Sequence, residues 1–136
     1  MNAKKILVVD DSLVILKVLS WKLKSAGYEV LNALDGSSAV ATARQQKPDL
    51  ILLDINFPPD MGANWDAFSI MEWIRRVDGL ASIPVIIITS GDPAKFKDRA
   101  LTAGAVAFFQ KPVNNDELVA TIRKTLGEVE PPPPST

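Results

Sequence analysis

Four short apolar runs, each followed by polar residues, constrain the fold of this chain more than any other feature. The runs lie at residues 6–9, 50–53, 85–88 and 106–109. Runs of this length that are bounded by turn signals are typical of strands buried on both faces of a parallel sheet. Segments of helical periodicity separate the runs, which is the pattern of repeated βα units. The sequence therefore predicts an α/β domain built around a parallel sheet.

A fifth strand and five helices complete the predicted alternation. The additional strand is expected at residues 29–34, second in chain order. The helices are expected at residues 12–26, 37–46, 66–77, 93–103 and after Asn114, which would cap the last one. The first helix is expected to face the core with an apolar stripe formed by Ile15, Val18, Leu19 and Leu23.

The length of the chain indicates one domain with a short extension. At 136 residues it is long enough to bury a sizeable core. Residues 1–127 are expected to form this domain. Residues 128–136 contain four consecutive prolines, which favour an extended conformation and cannot continue a helix. This last segment is therefore predicted to be a linker or a disordered tail.

The composition excludes several classes of chemistry. The chain has no cysteine and no histidine, so it has no disulfide framework or zinc-thiolate site and cannot hold a phosphoryl group on imidazole. Fifteen basic residues against sixteen acidic ones give no broad attraction to nucleic acid or to an anionic membrane. We see no signal peptide and no apolar run long enough to span a bilayer. The expected location is the cytoplasm, without direct binding to nucleic acid or membrane.

Polar residues that can carry chemistry stand at the ends of four of the predicted strands. Ligands of open parallel sheets bind outside the carboxyl ends of the strands, so these side chains are expected to converge at one edge. Three carboxylates, one hydroxyl and one ammonium group form a suitable site for a hard cation and a phosphoryl group. The residues are Asp10 and Asp11 after strand 1, Asp54 after strand 3, Thr89 after strand 4 and Lys111 after strand 5.

The order of the elements and four motifs resemble the receiver domain of two-component response regulators, the CheY-like family. The resemblance covers about residues 4–127. It implies a flavodoxin-like fold, which is a doubly wound five-stranded parallel sheet with strand order 2-1-3-4-5. In that order the two carboxylates after strand 1 meet the one after strand 3. The motifs are VVDDS at 8–12, LLDIN at 52–56, IIITS at 86–90 and FFQKPV at 108–113.

The resemblance also implies a metal site beside a phosphoacceptor. Asp54 would accept the phosphoryl group, since a carboxylate attacks phosphorus once the phosphoryl charge is neutralised. Asp11 and Asp54 would ligate Mg²⁺, or Mn²⁺, together with the backbone carbonyl of Asn56. Asp10 would act mainly through metal-bound water. Mg²⁺ suits such a site because it takes oxygen ligands and keeps several waters.

Three further residues receive roles from the same resemblance. Lys111 would pair with Asp54 and then with a phosphoryl oxygen, and Thr89 would donate its hydroxyl to the phosphoryl group. Phe108 occupies the position of the switch aromatic, which is often tyrosine in the family. It could still move between buried and exposed rotamers but offers no hydroxyl. The peptide bond between Lys111 and Pro112 is expected to be cis, as is usual in the family.

The function implied is that of a phosphorylation switch. A histidine kinase or a histidine phosphotransfer protein would phosphorylate Asp54, and the surface formed by helix 4, strand 5 and helix 5 would change for a downstream output protein or domain. The protein would be a monomer or weak homodimer, and it would catalyse only its own phosphorylation and dephosphorylation. Two alternatives remain: a constitutive interaction module without this chemistry, and a phosphohydrolase, which usually has a general acid where this chain has Asn56.

The segment after Asp54 departs from the family pattern. Residues 55–65 contain Pro58-Pro59 and Gly62, and they are about five residues longer than the usual turn. The segment would form either a lip over one side of the site or a surface insertion without a role.

Overall fold

The computed structural model describes residues 4–10, 12–54, 67–89, 93–111 and 113–127, apart from the side chains of residues 67 and 93–96. In these ranges five strands alternate with five helices. The strands are β1 (Lys5–Val9), β2 (Glu29–Ala33), β3 (Leu50–Asp54), β4 (Val85–Thr89) and β5 (Ala107–Gln110). The helices are α1 (Leu13–Ser25), α2 (Gly36–Gln46), α3 (Ala67–Arg76), α4 (Pro93–Thr102) and α5 (Asn115–Thr125).

The sheet is parallel throughout and has the strand order β2-β1-β3-β4-β5, as predicted. The chain moves outward from β1 to β2 and then returns to the other side of β1 for β3. This reversal leaves a crevice at the carboxyl ends of β1 and β3. The register aligns those ends, because Val9 lies opposite Leu53 and Asp54 lies opposite Ile88.

The two faces of the sheet bury separate apolar layers. Successive side chains of a strand point to opposite faces, so neighbouring residues belong to different layers. Leu7 and Ile51 pack with the residues of α2, α3 and α4, whereas Ile6 and Leu52 pack with those of α1 and α5. Every residue of β3 and β4 is buried. The uninterrupted apolar runs of the sequence are therefore explained by helices on both sides.

Polar caps fix the beginnings of three helices. The side chain of Ser12 accepts from the amide of Ile15 at α1, and Asp35 accepts from Ser38 at α2. The side chain of Asn114 accepts from the amides of the second and third residues of α5, which confirms its predicted role as a cap. These contacts satisfy amides that have no partner inside the helix.

The predicted core face of α1 is wrong in one position. Val18 is 49% exposed, whereas Leu16, which was not in the predicted stripe, is 3% exposed and packs under the helix. Apart from three lysines and two serines, α1 is apolar, so two adjacent stripes have the spacing of a buried face. Periodicity alone does not choose between them. The structure buries the stripe formed by Leu16, Leu19, Ser20 and Leu23.

Two predicted segments lie outside the described residues. They are the proline-rich tail at 128–136 and the longer connection at 55–65. Their predicted roles stay predictions. Within the described ranges, no helix has both the length and the apolar character needed to cross a bilayer.

Arg75, in the last turn of α3, connects that helix to the segments that precede β4 and β5. Its guanidinium group donates to the carbonyl oxygens of Ala81 and Ile83 at 3.0 Å, and to that of Gly104 at 2.9 Å. Gly104 ends α4 with a φ of +109°, a value that L side chains rarely adopt. A Cβ added there would lie 2.9 Å from Nε of Arg75. Backbone strain and a close approach therefore both favour glycine at this position.

We expect Gly104→Ala to lower the free energy of unfolding by about 1–3 kcal/mol more than Gly27→Ala, because it also disturbs the hydrogen bonds of Arg75. Gly27 is the matched control, since its φ is +99° and an added Cβ would have no neighbour within 4 Å. Urea unfolding of both variants measures the difference. Equal losses of stability would show that the contact with Arg75 contributes nothing.

Candidate functional site

Four predicted site residues lie together at the carboxyl edge of the sheet. Asp10 follows β1, Asp54 ends β3, Thr89 ends β4 and Lys111 follows β5. The exposed fractions of Asp10, Asp54 and Thr89 are 0%, 3% and 0%. Polar and charged groups are costly to bury unless they are paired, so these three side chains need partners inside the protein.

Lys111 joins two carboxylates that are far apart in sequence. Its Nζ lies 2.8 Å from Oδ2 of Asp10 and 3.2 Å from Oδ2 of Asp54. The side chain of Lys111 is only 17% exposed. One ammonium group thus offsets much of the repulsion between two buried carboxylates.

Backbone contacts hold both partners of this ion pair in place. The amide of Lys111 donates to the carbonyl oxygen of Thr89 at 2.8 Å, which continues the ladder between β4 and β5 past its last residue. The amide of Asp10 donates to Ala33 at 3.1 Å. The pairing of the strands therefore fixes the backbone positions from which the side chains of Asp10 and Lys111 extend.

Ser12 orients the carboxylate of Asp10, a role that we did not predict. Its amide donates to Oδ1 of Asp10 at 2.9 Å while Lys111 holds Oδ2. The side chain of Ser12 at the same time caps α1. The signal in the sequence was an aspartate two residues before a helix-capping serine, which is the spacing of an Asx-turn.

The environment of Lys111 raises its pKa above the usual value of 10.5. Burial lowers the pKa, but the hydrogen bond to Asp10 and the charges of Asp54 and Asp10 together outweigh this effect. The ammonium form is therefore the state that holds the site together at neutral pH.

The structure describes two of the four predicted metal ligands. Asp10 and Asp54 face each other across Lys111, whereas Asp11 and Asn56 lie outside the described residues. Among the described residues, no three carboxylate, histidine or cysteine side chains form a group that could hold a metal. The two carboxylates still fit a hard divalent cation, because both offer oxygen ligands and one ammonium leaves part of their charge uncompensated.

Phe108 and the bond after Lys111 are the remaining predicted features. Phe108 lies opposite Ile87 in the sheet and is half-buried against the layer of α2, α3 and α4. Phe108 therefore lies on β5, next to β4. The role of Phe108 as a switch stays a prediction. Pro112 lies outside the described residues, so the predicted cis bond is not tested.

The fold is a flavodoxin-like parallel sheet with two carboxylates and a lysine at its carboxyl edge. Residues 6–123 match the family model of the response regulator receiver domain. This chain belongs to that family. The match confirms the resemblance predicted from the motifs, and it covers all ten described helices and strands apart from Lys5 of β1 and Lys124 and Thr125 of α5.

Similar proteins include short regulators and longer ones. The polar-differentiation response regulator DivK of Brucella anthropi is 30% identical over 125 residues, which are 92% of this chain and 98% of DivK. The DNA-binding dual master transcriptional regulator RpaA of Synechocystis is 34% identical over 122 residues, which are 90% of this chain but 48% of RpaA. The chain spans about half the length of RpaA and of the probable transcriptional regulator ycf27 of Cyanophora paradoxa.

Solved structures of receiver proteins superpose closely on this fold. The chemotaxis protein CheY4 of Vibrio cholerae has a TM-score of 0.81 at 30% identity, covering 91% of this chain and 99% of CheY4. A CheY-like receiver domain protein of Methanospirillum hungatei has a TM-score of 0.82 at 28% identity, covering 93% of this chain and 95% of its own.

We expect Lys111→Met to destabilise the fold by about 1–3 kcal/mol at neutral pH in the presence of a chelator, because two buried carboxylates lose their counterion. The pKa of Lys111 is raised in the folded state, so this stabilisation is complete below 10.5 and is lost as the pH rises through the folded-state pKa. Urea unfolding at neutral and strongly alkaline pH measures the difference. The control is Lys17→Met, at an exposed lysine of α1; a pH-independent difference between the two variants would contradict the assignment.

Proposed function

We propose that this receiver domain accepts a phosphoryl group on Asp54 from a histidine kinase or a histidine phosphotransfer protein. A carboxylate oxygen of Asp54 attacks the phosphorus, the bond to the donor's imidazole nitrogen breaks, and that nitrogen keeps the electron pair. The observation that carries the proposal is the buried carboxylate of Asp54 on a central strand, 3.2 Å from the ammonium group of Lys111.

The surroundings favour Asp54 over Asp10 as the nucleophile. Asp54 ends β3, which lies between β1 and β4, so Asp10 stands on one side and Thr89 on the other. Asp10 is held by Lys111 at 2.8 Å and by the amide of Ser12 at 2.9 Å. Asp10 is thus held in place beside Asp54, and the central position of Asp54 is what favours it as the nucleophile.

Mg²⁺ is the cofactor that we propose, with Mn²⁺ as a substitute. Asp11, Asp54 and the backbone carbonyl of Asn56 would hold it directly, and Asp10 through water. When bound, the ion neutralises charge on the phosphoryl group during transfer. Lys111 remains near Asp54 and can contact a phosphoryl oxygen from its present position, which is why we assign it to the phosphorylated state as well.

Phosphorylation would alter the surface of α4, β5 and α5, and so act on an output protein or domain. The group adds a charge of about −1.5 to −2 next to Lys111 and Thr89. Thr89 is the last residue of β4, four residues before α4 begins, and Phe108 lies on β5. A shift of these residues would change the balance between two arrangements that exist before phosphorylation. The chain would act as a switch and would not turn over an external substrate.

The exposed side of α1 supports a helical protein as the donor. Val14, Val18 and Trp21 are 70%, 49% and 71% exposed and recur at helical spacing on one stripe. The helix contains no acidic residue. Two copies of α1 would therefore set lysines against lysines, whereas a helix with acidic residues beside an apolar stripe is complementary. The lysines of α1 are Lys17, Lys22 and Lys24.

An apolar cleft leads from this stripe to the site. It has a volume of about 440 Å³ and lies between α1 and the start of α5. Ile88 and Val113 line it together with aliphatic side chains of α1, and Lys111 stands in its wall. A donor helix lying on α1 would thus bury a side chain beside Lys111, the residue that contacts Asp54.

We expect the chain to gain one phosphoryl group when it is incubated with acetyl phosphate and Mg²⁺, as measured by intact mass. Asp54→Asn should abolish the gain because the nucleophile is lost, and excess chelator should suppress it in the wild type. Asp98→Asn, at an exposed carboxylate of α4, is the control and should react normally. An unmodified wild type would favour the constitutive interaction module, and turnover of an external phosphomonoester would favour the phosphohydrolase.

We also expect Asp11→Ala to lose the binding of Mg²⁺, measured by calorimetric titration of the unphosphorylated chain, while its circular dichroism stays native. Asp11 would contribute a direct oxygen ligand, and the chain has no histidine or cysteine to replace it. Asp98→Asn again serves as the control. Unchanged affinity in Asp11→Ala would remove Asp11 from the ligand set.

A further inference from the structure

The described side chains of helix α4 pack little against the apolar core. Two arginine contacts connect this helix to α3. Ala100, a small residue, is the one buried side chain among those that the structure describes in this helix. By comparison, α1 and α3 bury leucine, isoleucine or methionine side chains. The other described side chains of α4 are exposed, and they are Lys97, Asp98, Arg99, Leu101 and Thr102.

The contact at the end of α4 far from the site is strong. Arg75 of α3 donates to Gly104 at 2.9 Å, and its two further bonds to carbonyl oxygens keep the guanidinium group in place. Hydrogen bonds from a charged donor are stronger than neutral ones. This end of α4 is therefore fixed to α3.

The contact on the side of α4 is weaker and joins the last turn of α4, where Arg99 lies, to the first turn of α3. The guanidinium carbon of Arg99 lies 3.9 Å from the ring centroid of Phe68, a cation–π arrangement. Phe68 is the second residue of α3, the first described helix after Asp54. Arg99 lies on α4, which begins four residues after Thr89. The contact thus joins the two helices that follow the phosphoacceptor and the phosphoryl-binding hydroxyl.

We propose that the contact between Arg99 and Phe68 is a latch that holds α4 in its unphosphorylated position. The structure shows the latch closed together with Lys111 bound to both Asp10 and Asp54, the arrangement that precedes phosphorylation. Because the Gly104 end is fixed by Arg75, α4 would swing at its first turns when the latch opens. This inference rests on the proposed function, since it requires phosphorylation of Asp54 to move α4.

The strength of the latch suits a switch. A contact that stabilises only one of two arrangements shifts their ratio by its own free energy and no more. An exposed cation–π contact is worth a factor of about two to five in such a ratio. Loss of the latch should therefore raise the population of the switched arrangement about two- to fivefold without phosphorylation.

The test compares amide NMR spectra of the unphosphorylated variants with those of the wild type before and after treatment with acetyl phosphate and Mg²⁺. Arg99→Ala and Phe68→Leu should move the α4 signals toward their phosphorylated positions, most in the first turns and least at Gly104. Lys97→Ala is the control, because it removes another exposed positive charge from the same helix. Phe68 also packs against the core, so adding Arg99→Ala to Phe68→Leu should shift the signals no further than Phe68→Leu alone.

Three outcomes overturn the latch. Spectra of Arg99→Ala that match those of Lys97→Ala, while the phosphorylated wild type shows moved α4 signals, overturn the latch alone. Signals that move away from the phosphorylated positions assign the contact to the switched state instead. A wild type that acetyl phosphate does not modify overturns the proposed function and the latch with it.

Discussion

The paired burial of Asp10 and Asp54 around Lys111 is the constraint on which the site depends. Two carboxylates at the end of a buried sheet would be costly without a nearby cation, and among the described residues Lys111, after β5, supplies it. The strand order, the register and the backbone bond from Lys111 to Thr89 all serve to bring that ammonium group to the carboxylates. The fold therefore determines which charged groups meet in the site.

Much of this arrangement was predictable because strong local patterns specify it. Apolar runs reveal strands buried on both faces, and the residue that ends each run must lie at the carboxyl edge of a parallel sheet. Asp10, Asp54, Thr89 and Lys111 were placed in this way, and the strand order came from the family resemblance. Asn114 was recognised as a cap because its chemistry is local.

The features that were not predicted from the sequence have physical causes of their own. The buried face of α1 was misjudged at Val18 because an almost wholly apolar helix has no polar face to mark its outside. The role of Ser12 depends on its backbone amide, and its only signal in the sequence is the Asx-turn spacing to Asp10, which was overlooked. Arg75 and Arg99 were not singled out, because their partners are carbonyl oxygens and a ring on elements that only the tertiary fold brings near.

The separation of Lys111 from Asp10 by 101 positions has a consequence for biosynthesis. Lys111 follows β5, which is an edge strand and the last of the five described strands in chain order. Until it docks, both carboxylates lack their ammonium partner, so a nascent or partly unfolded chain holds an incomplete site. Competence to receive a signal would then depend on the docking of β5.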